Sequence, residues 1–341
     1  MGDSLMNMFV VVLLALAGIG SASAASVPVL RETPPVGASG DAADDPAIWV
    51  GPTPAMTRII GTQKQGGLYV YDLQGRIVQE LPGGRPNNID LRATPKGVRI
   101  VTSDRSENAL VIYALDETRG LIEAAPLGRV ATGFAEVYGV CLGPDRDGTL
   151  LAVATSKIGE VGVWRLGARA GEAQRLGGFA LGSIAEGCVV DDRTGVAYVA
   201  QEDVGIWRFA LGLPNGEGRR LIDQVKPQGR LAADIEGLAV WRRGARGYLV
   251  ASVQGENRFV VYDLDTDNTY RGSMRLVGRG GVDGVSGTDG IEVTAQDLGP
   301  GLSRGLLVVQ DDENTNPNAA QNFKYVSWGM VERALGLRGR R

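Results

Sequence analysis

The sequence predicts an all-β fold, a six-bladed β-propeller, from a repeat of about fifty residues, a hairpin inside each repeat, and scant helical periodicity beyond the N-terminal segment. Each repeat opens with an acid or polar residue, often followed by Gly, that leads into a short apolar strand. Its copies begin at Asp45, Asn88, Tyr138, Glu186, Glu236 and Asp289, spaced 43, 50, 48, 50 and 53 residues apart. The hairpin runs from an apolar strand through a polar turn to a strand ending in an aromatic residue. Its copies are Ile59 to Tyr71, Ile100 to Tyr113, Leu151 to Trp164, Tyr198 to Trp207, Leu249 to Tyr262 and, more loosely, Leu307 to Tyr325. β-Branched runs around Gly-rich turns signal strands, and the repeated aromatics suit blade packing. Units of this length match propeller blades, and closing them into a ring removes the exposed edges of six separate sheets. Val27–Leu30 are expected to close the last blade. No linker or composition shift interrupts residues 25–341, which form one domain.

Phe9–Ala17 is apolar but too short to span a bilayer, and Ala22-Ser23-Ala24 gives a small-x-small cleavage pattern. Residues 1–24 are therefore expected to be a signal peptide cleaved near Ala24, leaving a secreted or periplasmic protein, even though this stretch holds no Lys or Arg. No later segment is apolar and long enough to cross a membrane. A net charge of −4 without a basic stripe argues against nucleic acid as a partner, and a monomer is expected. The chain contains no His, which excludes Ser-His-Asp hydrolysis, His-nucleophile phosphatases and His-ligated zinc. Cys141 and Cys188 both sit in short apolar runs. Export permits a disulfide, but a pair of buried thiols is the expected reading. Arg338–Arg341 reads as a solvated tail.

Equivalent positions of successive blades lie side by side around one end of the channel. The hairpin-turn position reads Lys64, Arg105, Lys157, Glu202, Gln254, Asp311, and the strand-opening position adds Asp45, Asn88, Tyr138, Glu186, Glu236 and Asp289. Glu32, Asp41, Asp44, Asp203, Asp234 and Asp283 thicken the acidic arc. Carboxylates crowded at a mouth repel unless protonated or bridged by a hard cation, and a ligand set of oxygens without His favours Ca²⁺. Asp283 with Asp311, Glu313 and Asn314 forms a second oxygen-rich group. Any one of these acids alone reads as strand-end solvation, but registration across six blades makes that reading poor for the set. Lys64, Arg105 and Lys157 likewise converge as blade equivalents, a pattern that suits a multiply charged oxyanion.

The motifs Asp41-Ala-Ala-Asp-Asp-Pro-Ala-Ile-Trp49, Asn87-Asn-Ile-Asp90, Glu136-Val-Tyr-Gly139, Asp234-Ile-Glu-Gly237, Thr288-Asp-Gly-Ile291 and Gln321-Asn-Phe-Lys324 resemble those of the β-propeller phytases in order and spacing. The likeness covers about residues 30–330, and the long first motif is the most specific. The resemblance implies hydrolysis of phytate, presented as its calcium complex, without a covalent phosphoenzyme, and several calcium ions, some structural and some catalytic. It places phosphate binding on Lys64, Arg105 and Lys157 with Tyr138 beside them. Catalytic-calcium ligands fall on Glu32, Asp44, Glu186, Glu202, Asp234, Glu236 and Asp289; structural-calcium ligands fall on Asp45, Asp283, Asp311, Glu313 and Asn314. The implied chemistry is attack by a metal-activated water, with the three cations stabilising phosphate oxygens. Three positions depart from the family pattern: Gln65 stands where a second Lys is common, and Ile158 and Gly287 stand where acids are common. The alternatives within the same fold are a lactone or organophosphate hydrolase with one central Ca²⁺, and a non-catalytic calcium-stabilised binding propeller.

Overall fold

The computed structural model describes residues 23–145, 147–167, 169, 172–315 and 317–337. The expected leader, save Ser23 and Ala24, and the Arg338–Arg341 tail lie outside the described residues. Two short strands come first, β1 (Ala25–Pro28) and β2 (Arg31–Glu32). Blade one then comprises β3 (Ala43–Trp49), β4 (Arg58–Gln63), β5 (Gly67–Tyr71) and β6 (Ile77–Pro82). Blade two has β7 (Pro86–Thr94), β8 (Gly97–Asp104) and β9 (Ala109–Asp116), with β10 (Leu121–Ile122) and β11 (Gly128–Ala131) both on β9. Blade three is β12 (Val137–Pro144), β13 (Leu150–Ser156), β14 (Glu160–Leu166) and β15 (Gln174–Ala180). Blade four is β16 (Ala185–Asp191), β17 (Val196–Gln201), β18 (Gly205–Ala210) and β19 (Arg220–Gln224). Blade five is β20 (Ile235–Arg243), β21 (Arg246–Val253), β22 (Arg258–Asp263) and β23 (Thr269–Val277). Blade six is β24 (Ile291–Thr294), β25 (Leu306–Asp311) and, after a small hairpin of β26 (Asn314–Thr315) and β27 (Asn318–Ala319), β28 (Asn322–Ser327). A helix, α1 (Trp328–Ala334), follows.

The N-terminal segment closes the ring in a different way from that expected. Val27 lies in β1, which pairs parallel to β23 on blade five; β2, a few residues later, pairs antiparallel to β28 and completes blade six, setting Glu32 opposite Lys324. Innermost strands pack in order from β3 through β7, β12, β16 and β20 to β24, which returns to β3.

The apolar core is divided among the seams between blades. Trp49, Ile60 and Val70 of blade one pack on Ile89 and Ile100 of blade two, and Val101 and Ile112 pack on Val140 and Trp164. The series ends where Leu306, Val308 and Phe323 of blade six meet Ile48, Ile59 and Tyr71 of blade one. Each such side chain contributes about 1.5–3 kcal/mol when withdrawn from water, so every seam is glued by its own strip of core. Of the six aromatics that end the hairpins, Tyr71, Trp164, Tyr262 and Tyr325 are buried, while Tyr113 and Trp207 are partly exposed.

Cys141 and Cys188 are disulfide-bonded, with Cα atoms 5.6 Å apart, and are not the pair of thiols expected. The physical reason is registration: β12 and β16 are neighbouring innermost strands, and the separation of 47 residues is about one blade. The bridge therefore crosses the seam between blades three and four. Among the described residues, no helix is long and apolar enough to cross a membrane.

Candidate active site at the channel mouth

The opening residues of the innermost strands and the turns between second and third strands share one end of the ring. Three local devices aim them. Pairing of β3, β7, β12, β16 and β20 with the next strand is irregular near its start, between Ala43 and Pro46, Pro86 and Ile89, Val137 and Val140, Ala185 and Cys188, and Ile235 and Leu238. Bulges of this kind redirect a side chain out of the sheet. Glycine after the opening residue lets neighbouring strands approach: a Cβ on Gly139 would lie 1.9 Å from Glu186 O, and one on Gly187 would lie 2.0 Å from Glu236 O. Finally, a hydroxyl of one blade holds the opening carbonyl of the next. Thr62 Oγ1 donates to Asn87 O at 2.6 Å, Thr155 Oγ1 to Glu186 O at 3.0 Å and Ser252 Oγ to Asp289 O at 3.0 Å, and Ser103 Oγ donates to Tyr138 O, so Asn87, and not Asn88 as expected, is the blade-two equivalent of Tyr138 and Glu186.

The acidic arc is concentrated by this arrangement. Carboxylate oxygens of Glu186, Glu202 and Glu236 lie within 4.8 Å of one another, a spacing one metal ion spans. Glu236 Oε2 and Asp44 Oδ1 are buried without a hydrogen-bond donor among the described residues. Burial pushes Asp44 up to about 7, against the pull of Lys64, and Glu186 up to about 7 in the same way. Burial with the charge of Asp234 pushes Glu202 up to about 7, and burial with Asp44 does the same to Asp289. Burial, then Glu186, Glu202 and Asp289, raise Glu236 well above the usual carboxylate range. Such a group of oxygens with unmet charge and unmet hydrogen bonds fits a hard divalent cation. Asp234 is exposed beside Glu202 and takes a φ of +60°, in the left-handed region that Asp enters more readily than most residues. Asp45 faces the enclosed channel below the mouth, where its Oδ2 accepts the Ile89 N–H at 3.0 Å.

The three expected cations divide one and two. Lys64 points into the arc: its Nζ is 2.6 Å from Asp41, 2.8 Å from Asp289 and 3.1 Å from Asp44. Burial works against its charge, but these acids and Glu186 outweigh it and hold the ammonium protonated far above the ordinary range. Arg105 and Lys157 instead converge on the Glu136 carboxylate, at 3.1 and 3.6 Å. Tyr138 lies between the two territories. Its ring carries Lys157 Nζ 4.7 Å from the centroid, and burial, then Glu186, keep its hydroxyl protonated far above the ordinary range.

Sequence reasoning missed Asn87 and Glu136 as members of the site. Asn87 Oδ1 accepts from Arg105 at 3.2 Å and its Nδ2 donates to Glu186 Oε1 at 2.7 Å, so one buried amide ties a cation to a carboxylate of the arc. Both residues lie within motifs already singled out; the signal was the motif's first residue, which no charge pattern marks in the case of Asn87. At the departures, Gln65 Nε2 donates to Ser39 O and Asp41 O at 3.0 and 3.1 Å, securing the loop that carries Asp41. Ile158 is 59% exposed, and Gly287 has a φ of +49° with Asp312 where a Cβ would point.

The late-chain group is a separate centre. Asp283, Asp311 and Asn314 meet as expected, but they surround Lys324, whose side chain is 0% exposed and whose Nζ also contacts Glu32. Nζ lies 3.2 Å from Asp311 and 3.0 Å from Asn314 Oδ1, with Asp283 closer. Glu32 thus sits with Lys324 and Asn322, away from the mouth acids with which it was expected. Glu313 is exposed and anchors by its N–H to Ser286 Oγ at 3.2 Å.

The family model described as Phytase matches residues 3–339 of this chain. The chain belongs to the phytase family. A 3-phytase of Bacillus subtilis (strain 168) is 37% identical over 322 residues, covering 89% of this chain and 84% of that protein. Among solved structures, that of regucalcin, a calcium-binding protein from Agrobacterium tumefaciens, superposes with a TM-score of 0.58 over 89% of this chain and 97% of that one. At 15% identity it shows the propeller fold alone. Family membership sets aside the lactone or organophosphate hydrolase and binding-propeller alternatives: the chain hydrolyses phosphate esters of phytate, and its family is metal-dependent.

Proposed function

We propose that the enzyme is an exported, calcium-dependent 3-phytase-type phosphatase whose catalytic calcium is held by Asp44, Glu186, Glu202, Asp234, Glu236 and Asp289, with structural calcium at Asp45 and at the late-chain group. The observation that carries this reading is the trio Glu186, Glu202 and Glu236, with oxygens within 4.8 Å of one another and one of them buried without a donor. Calcium bound there would neutralise phosphate oxygens and acidify a water for in-line attack. The chain supplies the rest. Arg105 and Lys157 take equatorial phosphate oxygens through charge-assisted hydrogen bonds. Tyr138, kept protonated, offers its hydroxyl as a donor, and Asn87 fixes Arg105 relative to Glu186. Lys64 balances the arc from within, so that the acids tolerate close approach before substrate arrives. No side-chain nucleophile is required. Export is supported by the apolar N-terminal run and by the Cys141–Cys188 bridge, since disulfides persist in oxidising compartments.

The test is phosphate release from phytate by chelated enzyme with and without added Ca²⁺, beside a simple aryl phosphate. Calcium-restored release, strongest on phytate, is expected; full turnover after exhaustive chelation, or equal activity on the aryl ester, contradicts the reading.

A further inference from the structure

Among the described residues, Glu136 is the one acid that the ion pairs place on both Arg105 and Lys157, and the proposed reaction gives it no task. Its backbone is pinned: Lys157 N donates to Glu136 O at 3.2 Å, and the following Val137 N donates to Asn108 Oδ1 at 2.7 Å. Its side chain, 43% exposed, reaches from that fixed point to Arg105, where Oε1 is 3.1 Å from both Nε and Nη2, and to Lys157 Nζ at 3.6 Å. The partner cations are less exposed, at 18% and 34%. A carboxylate so placed presents an oxygen where a phosphate oxygen would bind, and its exposure leaves it room to swing away.

Resting on the reading of Arg105 and Lys157 as phosphate ligands, we infer that Glu136 is an internal anion that occupies their subsite in the free enzyme, yields it to substrate phosphate, and returns to it as product phosphate leaves. It acts through Arg105 and Lys157 and takes no part in bond breaking. The exchange balances charge at each stage, since one anion replaces another on the same two cations. Its cost falls equally on every phosphate that binds there, so it weakens substrate and product binding together, which favours release of orthophosphate at the end of a turnover. Before substrate arrives, it also keeps two converging like charges from repelling each other.

The two roles this carboxylate could have, competing anion and simple support, give opposite signs in one experiment. Glu136→Gln keeps the shape and removes the charge. With orthophosphate as the inhibitor of phytate hydrolysis, and sulfate as a second tetrahedral anion, its inhibition constant should fall about three- to thirty-fold, with KM for phytate falling in parallel and both becoming more salt-sensitive. Constants that rise or stay unchanged, with the melting temperature intact, overturn the inference and leave Glu136 as a support. Arg105→Ala, measured alongside, must weaken inhibition by both anions. If it does not, the phosphate-binding reading of Arg105 fails and the inference falls with it, an outcome distinct from failure of Glu136→Gln alone.

Discussion

At the channel mouth Lys64 is the buried cation of Asp44, Asp289 and Glu186, with Glu202 and Glu236 beside them, whereas in the late-chain group Glu32, Asp283 and Asp311 enclose Lys324. The outcomes differ. Four mouth acids are pushed up to about 7 by burial and by one another, and Glu236 too is raised well above the usual carboxylate range. In the late-chain group burial also opposes charge, but hydrogen bonds from Lys324 and Thr315 hold Asp283 below the usual carboxylate range, and Asp311 rises to about 6. The same residue types thus give one centre in which five buried or half-buried acids share a mouth with one lysine, and another in which a lysine is enclosed by three acids. A lysine enclosed by its acids suits a structural centre, whereas a mouth with more carboxylates than its one lysine can pair suits the proposed metal.

Removing the built-in cation should give the largest effect on folding. Lys324→Met leaves buried carboxylates without their ammonium, and breaking such a partnership costs about 3–5 kcal/mol. Calcium-free thermal melts should show the loss, added Ca²⁺ should restore part of it, and kcat on phytate should change little at temperatures where the variant is folded. An unchanged melt would show that Lys324 does not balance the group. At the mouth the contrast reverses. Glu186→Gln should reduce phosphate release roughly 10²- to 10³-fold, while its calcium-free melting temperature holds or rises because one crowded charge is gone. A large fall in that temperature, together with normal kinetics, would make Glu186 a structural acid.

Smaller effects sharpen the picture. Thr155 Oγ1 donates to Glu186 O and accepts from Gly139 N, so Thr155→Val should cost about 1–3 kcal/mol through lost and unmet buried hydrogen bonds. Its KM and kcat should shift with the altered aim of Glu186; a variant equal to wild type in both melt and kinetics would remove the hydroxyl from the account. The metal-free pH profile tests the raised carboxyl groups. Folded values near 7 lie above the ordinary ones, so their stabilising protonation is complete below about pH 4 and is lost as pH rises towards 7. The melting temperature of chelated enzyme should therefore drop over that window, by on the order of a few degrees, and Ca²⁺ should flatten the drop. A profile rising with pH would contradict the crowded-acid description.

Much of this was legible because blade periodicity converts sequence spacing into spatial neighbourhood. Glu186, Glu236 and Asp289 open successive innermost strands and meet at the mouth, and Arg105 and Lys157 occupy equivalent turns and meet on one carboxylate. The same rule pairs Cys141 with Cys188, since their separation is about one blade, whereas the apolar run around each cysteine says only that it is buried. Other features depend on contacts that spacing does not encode. Glu32 faces Lys324 because β2 returns to the edge of blade six, across 292 residues of chain. Lys64 occupies the same turn position as Arg105 and Lys157, yet the neighbouring Asp41 loop and Asp289 draw it into the acidic arc. Asn87 and the seam hydroxyls of Thr62, Ser103, Thr155 and Ser252 carry no charge pattern, and a polar residue at a strand end has too many uses to mark one.

The central claim is that the mouth carboxylates hold the calcium that phytate hydrolysis requires. It is tested most directly by titrating chelated wild type and Glu186→Gln with Ca²⁺ while counting bound ions and measuring phosphate release from phytate on the same samples. Wild-type activity should return together with ions that Glu186→Gln fails to bind. Turnover by the fully chelated wild type, or a variant that binds as many ions and hydrolyses phytate as fast, would contradict it.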